Sequence, residues 1–143
     1  MKTFFEVISL PIFLAPFLSW IIAQVIKSFI YTIKHHKFNA RTLFRTGGMP
    51  SSHSGGSVAL TVAIGRTSGW TSPLFIIALV FTFIIMNDAA SVRRSSGQQA
   101  RILNKMIEDG RIDMERVKEF LGHSPIEVIA GGILGVIVAI LLT

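Results

Sequence analysis

The chain contains no cysteine, which removes disulfides, thiolate metal ligands and a cysteine nucleophile, and leaves the redox compartment unread. Charge is scarce as well: 15% of the 143 residues are charged against 50% hydrophobic, and mean hydropathy is +0.59. That balance does not suit a soluble domain. Acidic residues are the rarer sign, 8 against 14 Lys and Arg, for a net charge of +6. The basic residues flank apolar segments instead of interleaving with aromatics, which points to anionic lipid headgroups and away from nucleic acid. No small-residue cleavage site follows the N-terminal apolar run, and the run exceeds signal-peptide length, so it reads as a retained span. Repeats and low-complexity segments are absent. Any chemistry falls to His, Ser, Lys, Arg, Asp and Glu.

Four apolar segments are present, at about 4–33, 53–64, 73–86 and 126–142. A spanning helix takes roughly 20 residues, so the second and third must recruit polar ends, and close packing can shield the small residues of the second. The expectation is an all-α integral membrane helix bundle, a single membrane domain over 1–143, with spans near 12–33, 52–69, 72–88 and 125–143. Pro11 and Pro16 leave open whether residues 4–33 form one helix or two. Alternation then puts the loops 34–50 and 88–124 on one side, with Lys34, Lys37, Arg41, Arg45, Arg93, Arg94, Arg101, Lys105, Arg111, Arg116 and Lys118. The other side has only Lys2 and Arg66, so the loaded side is expected to be cytoplasmic. Within the second loop, about 89–124, Ile102, Leu103, Met106 and Ile107 recur at helical spacing, and a second short helix is expected over 113–121, with Met114, Val117, Phe120 and Leu121 on one face. Both would lie at the membrane surface, either covering the spans or guiding substrate inward.

Three constellations gather on that side. Gly47-Gly48-Met49-Pro50-Ser51-Ser52-His53-Ser54-Gly55-Gly56 stands where a basic loop enters a span: glycines allow close backbone approach, and helix N–H groups with the Ser51 and Ser52 hydroxyls can bond phosphate oxygens. The same residues also read as a glycine turn and serine cap before a closely packed helix. Gly122-His123-Ser124-Pro125-Ile126-Glu127 stands at another span entrance. His123 and Glu127, four apart, could form a nucleophile and its orienting carboxylate. Alternatively, Ser124 to Glu127 is a capping box with Pro125 at the first helical position. Third, Asp88 precedes Arg93 and Arg94: either arginine could hold a phosphate bidentately, with Asp88 orienting it or binding a cation, or the pair could mark the membrane edge. Lys27, inside an apolar helix, is a site candidate unless it snorkels.

These residues resemble the divergent branch of the type 2 phosphatidic acid phosphatase superfamily, the YuiD-like small membrane proteins, over nearly the whole chain. Pro50-Ser51-Ser52-His53 is similar to its P-S-G-H element, and His123-x-x-x-Glu127 followed by Gly131 to its H-x-x-x-D element and trailing glycine. The resemblance implies His123 as nucleophile and His53 as the proton donor to the leaving oxygen, without metal or other cofactor, in a bacterial plasma membrane. It departs at the first motif, a Lys followed after six residues by Arg-Pro, for which Lys27 and Arg45 are the candidate substitutes. It departs again at the Ser-Arg before the last histidine, at Glu127 in place of Asp and at Ser52 in place of Gly.

The expectation is a lipid phosphatase that hydrolyses a phosphomonoester through a phosphohistidine, with Lys27, Arg45, Arg93 and Arg94 balancing charge. Its substrate would be an anionic phospholipid or prenyl phosphate. A rival keeps the anion cradle without turnover, as a lipid-binding or scaffold protein. A metal-dependent alcohol-phosphotransferase reading of 88–93 lacks carboxylates, and a transporter lacks paired interrupted spans. Gly131, Gly132 and Gly135 offer a close-packing face, for an internal contact or a homo-oligomer.

Overall fold

A computed structural model describes residues 6, 9–36, 47–117, 119 and 122–143. Its helices are α1 (Pro11–His35), α2 (Ser52–Ser68), α3 (Pro73–Ala90), α4 (Val92–Glu108) and α5 (Pro125–Leu142). The chain is an all-α membrane bundle. Three stretches, Pro11–Lys34, Pro73–Glu108 and Pro125–Leu142, are long and apolar enough to cross a bilayer by length and composition.

Local chemistry sets the helix starts. Ser72 and Ser124 each cap a helix whose first residue is proline, accepting from Phe75 N and Glu127 N. These prolines occupy a position with no intrahelical N–H partner to lose. At α2 the order is reversed, with Pro50 before the cap: Ser51 accepts from Ser54 N, and Ser52 opens the helix. Pro16 lies inside α1, where it removes one hydrogen bond without ending the helix. From Pro11 onward the first apolar segment is thus one helix; Glu6 is helical, Ser9 and Leu10 form a turn before Pro11, and residues 4, 5, 7 and 8 lie outside the described residues.

α2 occupies the centre, packed against α1, α3 and α5. Its inward residues are Ser52, Ser54, Gly55, Ala59, Thr61, Ala63 and Gly65, and the innermost cluster is Ala15, Ala59, Ala63 and Ala139. The largest fully buried side chains are serines, while Phe17, Phe29, Phe81, Phe83 and Leu141 face outward. This inversion is what lipid demands: hydrocarbon solvates the large apolar groups, and helices associate through small residues and close contact. The low hydropathy of α2 follows from its position, since its neighbours meet the lipid. Glycines make the α2–α5 seam. A Cβ on Gly131 would collide with the Ser51 carbonyl and one on Gly135 with Gly55 O, so α5 runs parallel to α2 with backbones in contact. The glycine face of α5 is therefore taken up internally. Across the α2–α3 contact, Thr61 and Thr82 share a hydroxyl hydrogen bond of 2.8 Å, and Thr82 also donates to Ser57 O.

Helix α4 follows α3 after Ser91 and touches no other helix among the described residues. The helix expected over 113–121 does not form in its described part: residues 113–117 and 119 are extended or irregular. The reason is Asn104, whose amide donates to Val117 O and accepts from Val117 N, both at 2.8 Å. These bonds satisfy the Val117 backbone in place of a helical ladder. Asn104 also donates to Glu119, and Glu108 pairs with Arg116, so the segment folds back along α4.

Candidate functional site

The starts of α2 and α5 and the junction of α3 with α4 meet at one end of the bundle. Three backbone contacts fix them. Ser51 N donates to Glu127 O (2.9 Å), and His123 N donates to Ala89 O (3.0 Å). Gly122, at φ +109°, lies so close to the Arg93–Arg94 backbone that a Cβ would strike it. Only glycine combines that left-handed conformation with that approach.

These contacts bring two histidines together. His53 is the second residue of α2, exposed, and His123 lies just before the α5 cap, 4% exposed. Their ring centroids are 6.4 Å apart, with ring planes at 62°. His123 Nδ1 is 3.1 Å from Glu127 Oε2, and the same oxygen accepts from Ser124 N at 3.1 Å. The capping box is also complete, since Ser124 Oγ accepts from Glu127 N. The two sequence readings of Glu127 are therefore one geometry. With Nδ1–H donated to the carboxylate, Nε2 carries the lone pair. Burial lowers the His123 pKa from the ordinary histidine value, against its hydrogen bond to Glu127, which raises it. The Lys27 charge lowers it further.

Lys27 is 7% exposed despite its charge. Its alkyl chain passes Gly48, where a Cβ would stand 3.3 Å from Lys27 Cγ, and its charge reaches Glu127, His123 and His53. Arg93 and Asp88 also act electrostatically on His53. They form an ion pair, Arg93 Nε to Asp88 Oδ2, at 2.7 Å. Arg94 is exposed, its backbone against Gly122. Ser51 is fully buried, and its hydroxyl bonds Ser54 Oγ (3.0 Å) and caps α2; Ser52 is also buried. The Ser51 hydroxyl is thus taken up inside the bundle, while the Ser52 and His53 amides, in the first turn, have no intrahelical acceptor. Arg45 lies outside the described residues. Lys27, His53, Asp88, Arg93, His123 and Glu127 thus form one charged cluster. No three His, Asp or Glu side chains among the described residues gather as a metal-ligand set.

Sequence reasoning passed over Gln24, buried in α1 one turn before Lys27, with an Oε1 that has no hydrogen-bond partner. Its signal was an amide three residues from a lysine in an apolar helix. Gly122 carries no such signal, because a positive φ is not written in a sequence.

The model of the Divergent PAP2 family matches residues 8–138. The chain belongs to that family. A relative, the uncharacterized membrane protein YuiD of Bacillus subtilis (strain 168), is 37% identical, with 85% of this chain and 87% of its own length covered. No solved structure matches. Membership, together with the three apolar helices, makes this Divergent PAP2 protein an integral membrane protein in contact with membrane lipids.

Proposed function

We propose that this Divergent PAP2 protein is a lipid phosphatase of the bacterial plasma membrane, hydrolysing a phosphomonoester through a phosphohistidine at a cytoplasmic site. The observation that carries it is the paired histidines, one buried and oriented by a carboxylate, the other exposed, with Lys27 and Arg93 beside them. A nucleophile acts about 3–3.5 Å from its target, and a proton donor about 2.6–3.2 Å from the leaving oxygen. Ring centroids 6.4 Å apart make the two imidazoles neighbours, which supports their acting on one phosphoester.

In the first step His123 Nε2 attacks phosphorus, the ester P–O bond breaks, and His53 passes its proton to the departing alkoxide. In the second, water deprotonated by His53 attacks the phosphohistidine and frees phosphate and His123. Lys27 and the arginines balance charge on the equatorial oxygens, where phosphoryl transfer gains most from the protein. Inner-leaflet substrates such as phosphatidylglycerophosphate, phosphatidate or a prenyl phosphate fit a cytoplasmic site. One observation favours the rival binding reading: Arg93 is already paired with Asp88, which weakens it as a phosphate clamp.

Phosphate release from these lipids by the purified chain in nanodiscs, with EDTA present, decides between them. Wild type is expected to release phosphate, and His123→Ala and His53→Ala to lose about 10²-fold or more. A folded wild type that binds the lipids and releases nothing establishes the binding protein instead.

A further inference from the structure

Beside His53 an apolar groove of about 380 Å³ opens between α1 and α2, lined by Pro16, Phe17, Trp20, Ser52, His53 and Gly56. Its origin lies in the sequence. Gly55 and Gly56 serve different ends: a Cβ on Gly55 would press on Ser19 Oγ and Gly131 O, whereas one on Gly56 would meet only Pro16 O, at 3.5 Å. Gly55 brings helices together and Gly56 leaves space, which the short Pro16 ring does not fill. The outer walls are Phe17 and Trp20, 54% and 40% exposed. They belong to the same lipid-facing side of α1 as Phe13 and Ile21, so the groove opens to hydrocarbon.

We infer that this groove seats the hydrocarbon chain of the lipid phosphate, next to its ester oxygen, and so decides which histidine meets which end of the scissile bond; this rests on the reading of the histidine pair as the phosphate site. Bulk lipid can brush any apolar face. What singles out a lipid phosphate is that the groove's lining includes an imidazole 6.4 Å from a second one, so a chain lying in it can deliver its polar end to the charged cluster. The volume is at the lower end of the range of about 300–1,000 Å³ for small-ligand sites, room for one chain. A chain on the His53 side places the alcohol oxygen at His53 and phosphorus toward His123. When P–O breaks, the oxygen keeps the bonding pair and takes the His53 proton, while His123 gains the phosphorus.

The test uses the full chain in nanodiscs with Trp70→Phe, which leaves Trp20 as the sole tryptophan. The probe is a long-chain alkyl phosphate brominated along its chain, at low mole fraction, beside the matching brominated alcohol. Trp20 fluorescence is expected to be quenched saturably by the phosphate, relieved by unbrominated alkyl phosphate, and quenched only linearly by the alcohol. Gly56→Leu, which fills the groove, is expected to weaken the saturable component about tenfold or more. Quenching that rises linearly with the phosphate probe and ignores the competitor overturns the seat, even where phosphate is released, and needs no groove variant. Saturable quenching without any release keeps the seat and removes the phosphatase.

Discussion

One oxygen of Glu127 holds both His123 and the N-terminus of α5, and the two duties separate by mutation. Ser124→Ala removes the cap hydroxyl and leaves the carboxylate beside the imidazole. It is expected to cost about 1 kcal/mol of stability, read as a lower midpoint of thermal unfolding in detergent, with little change in phosphate release. Glu127→Gln acts on the chemistry. As the proposed nucleophile His123 must be neutral, and burial already lowers its pKa, so the acid limb of kcat/KM is expected where pH drops through that lowered value. Glu127 pulls the pKa upward, so its loss moves the acid limb to lower pH while the plateau falls about 10²-fold or more as the ring loses its orientation. An acid limb moving to higher pH would contradict the carboxylate's role. Folding stability has the same sign: the part due to neutral His123 is present above the unfolded pKa and lost as pH falls through the folded one.

At the scale of elements, the α2–α5 seam positions His53, because α5 touches the backbone of Ser51, two residues before it. Gly131→Ala puts a methyl against that backbone, which cannot yield as a side chain can, and is expected to cost about 1–3 kcal/mol and to lower activity by shifting the start of α2. Gly132→Ala meets only Val58 and Met86 side-chain atoms, at 3.7 and 3.8 Å, and is expected to be tolerated. Thermal unfolding of the two variants checks the contrast; equal losses would refute the seam. The sequence showed three glycines on one face but not their partner, since choosing among helices depends on rotation about each axis. It showed the helical period around Ile102 and Met106 correctly, yet the same periodicity misled over 113–117, the described start of the expected second helix. The Asn104 amide takes both backbone groups of Val117 from thirteen residues away, a contact that no local pattern announces. Lys27 was legible because a charge inside an apolar run is costly wherever it lies.

For the whole molecule, the convergence of His53 and His123 was legible because both begin helices that run the same way from one end of the bundle. Their unequal burial was not, being set by how Ala89 and Gly122 dock the segment before α5. The same geometry fixes which surfaces share a side. Gln98, exposed on α4, belongs to the end with the histidines, and Thr71, exposed in the turn between α2 and α3, to the opposite end. By the positive-inside rule, the excess of Lys and Arg in the loops at the histidine end predicts a cytoplasmic placement for it. Because the chain has no cysteine, single Gln98→Cys and Thr71→Cys variants each report one position without background. With a membrane-impermeant thiol reagent, Thr71→Cys is expected to label in spheroplasts, and Gln98→Cys only after lysis. The reverse pattern would put the histidines outside and replace inner-leaflet phosphates with outer-leaflet ones as candidate substrates, while labelling of both in spheroplasts would break the alternation that brings the two histidines to one side.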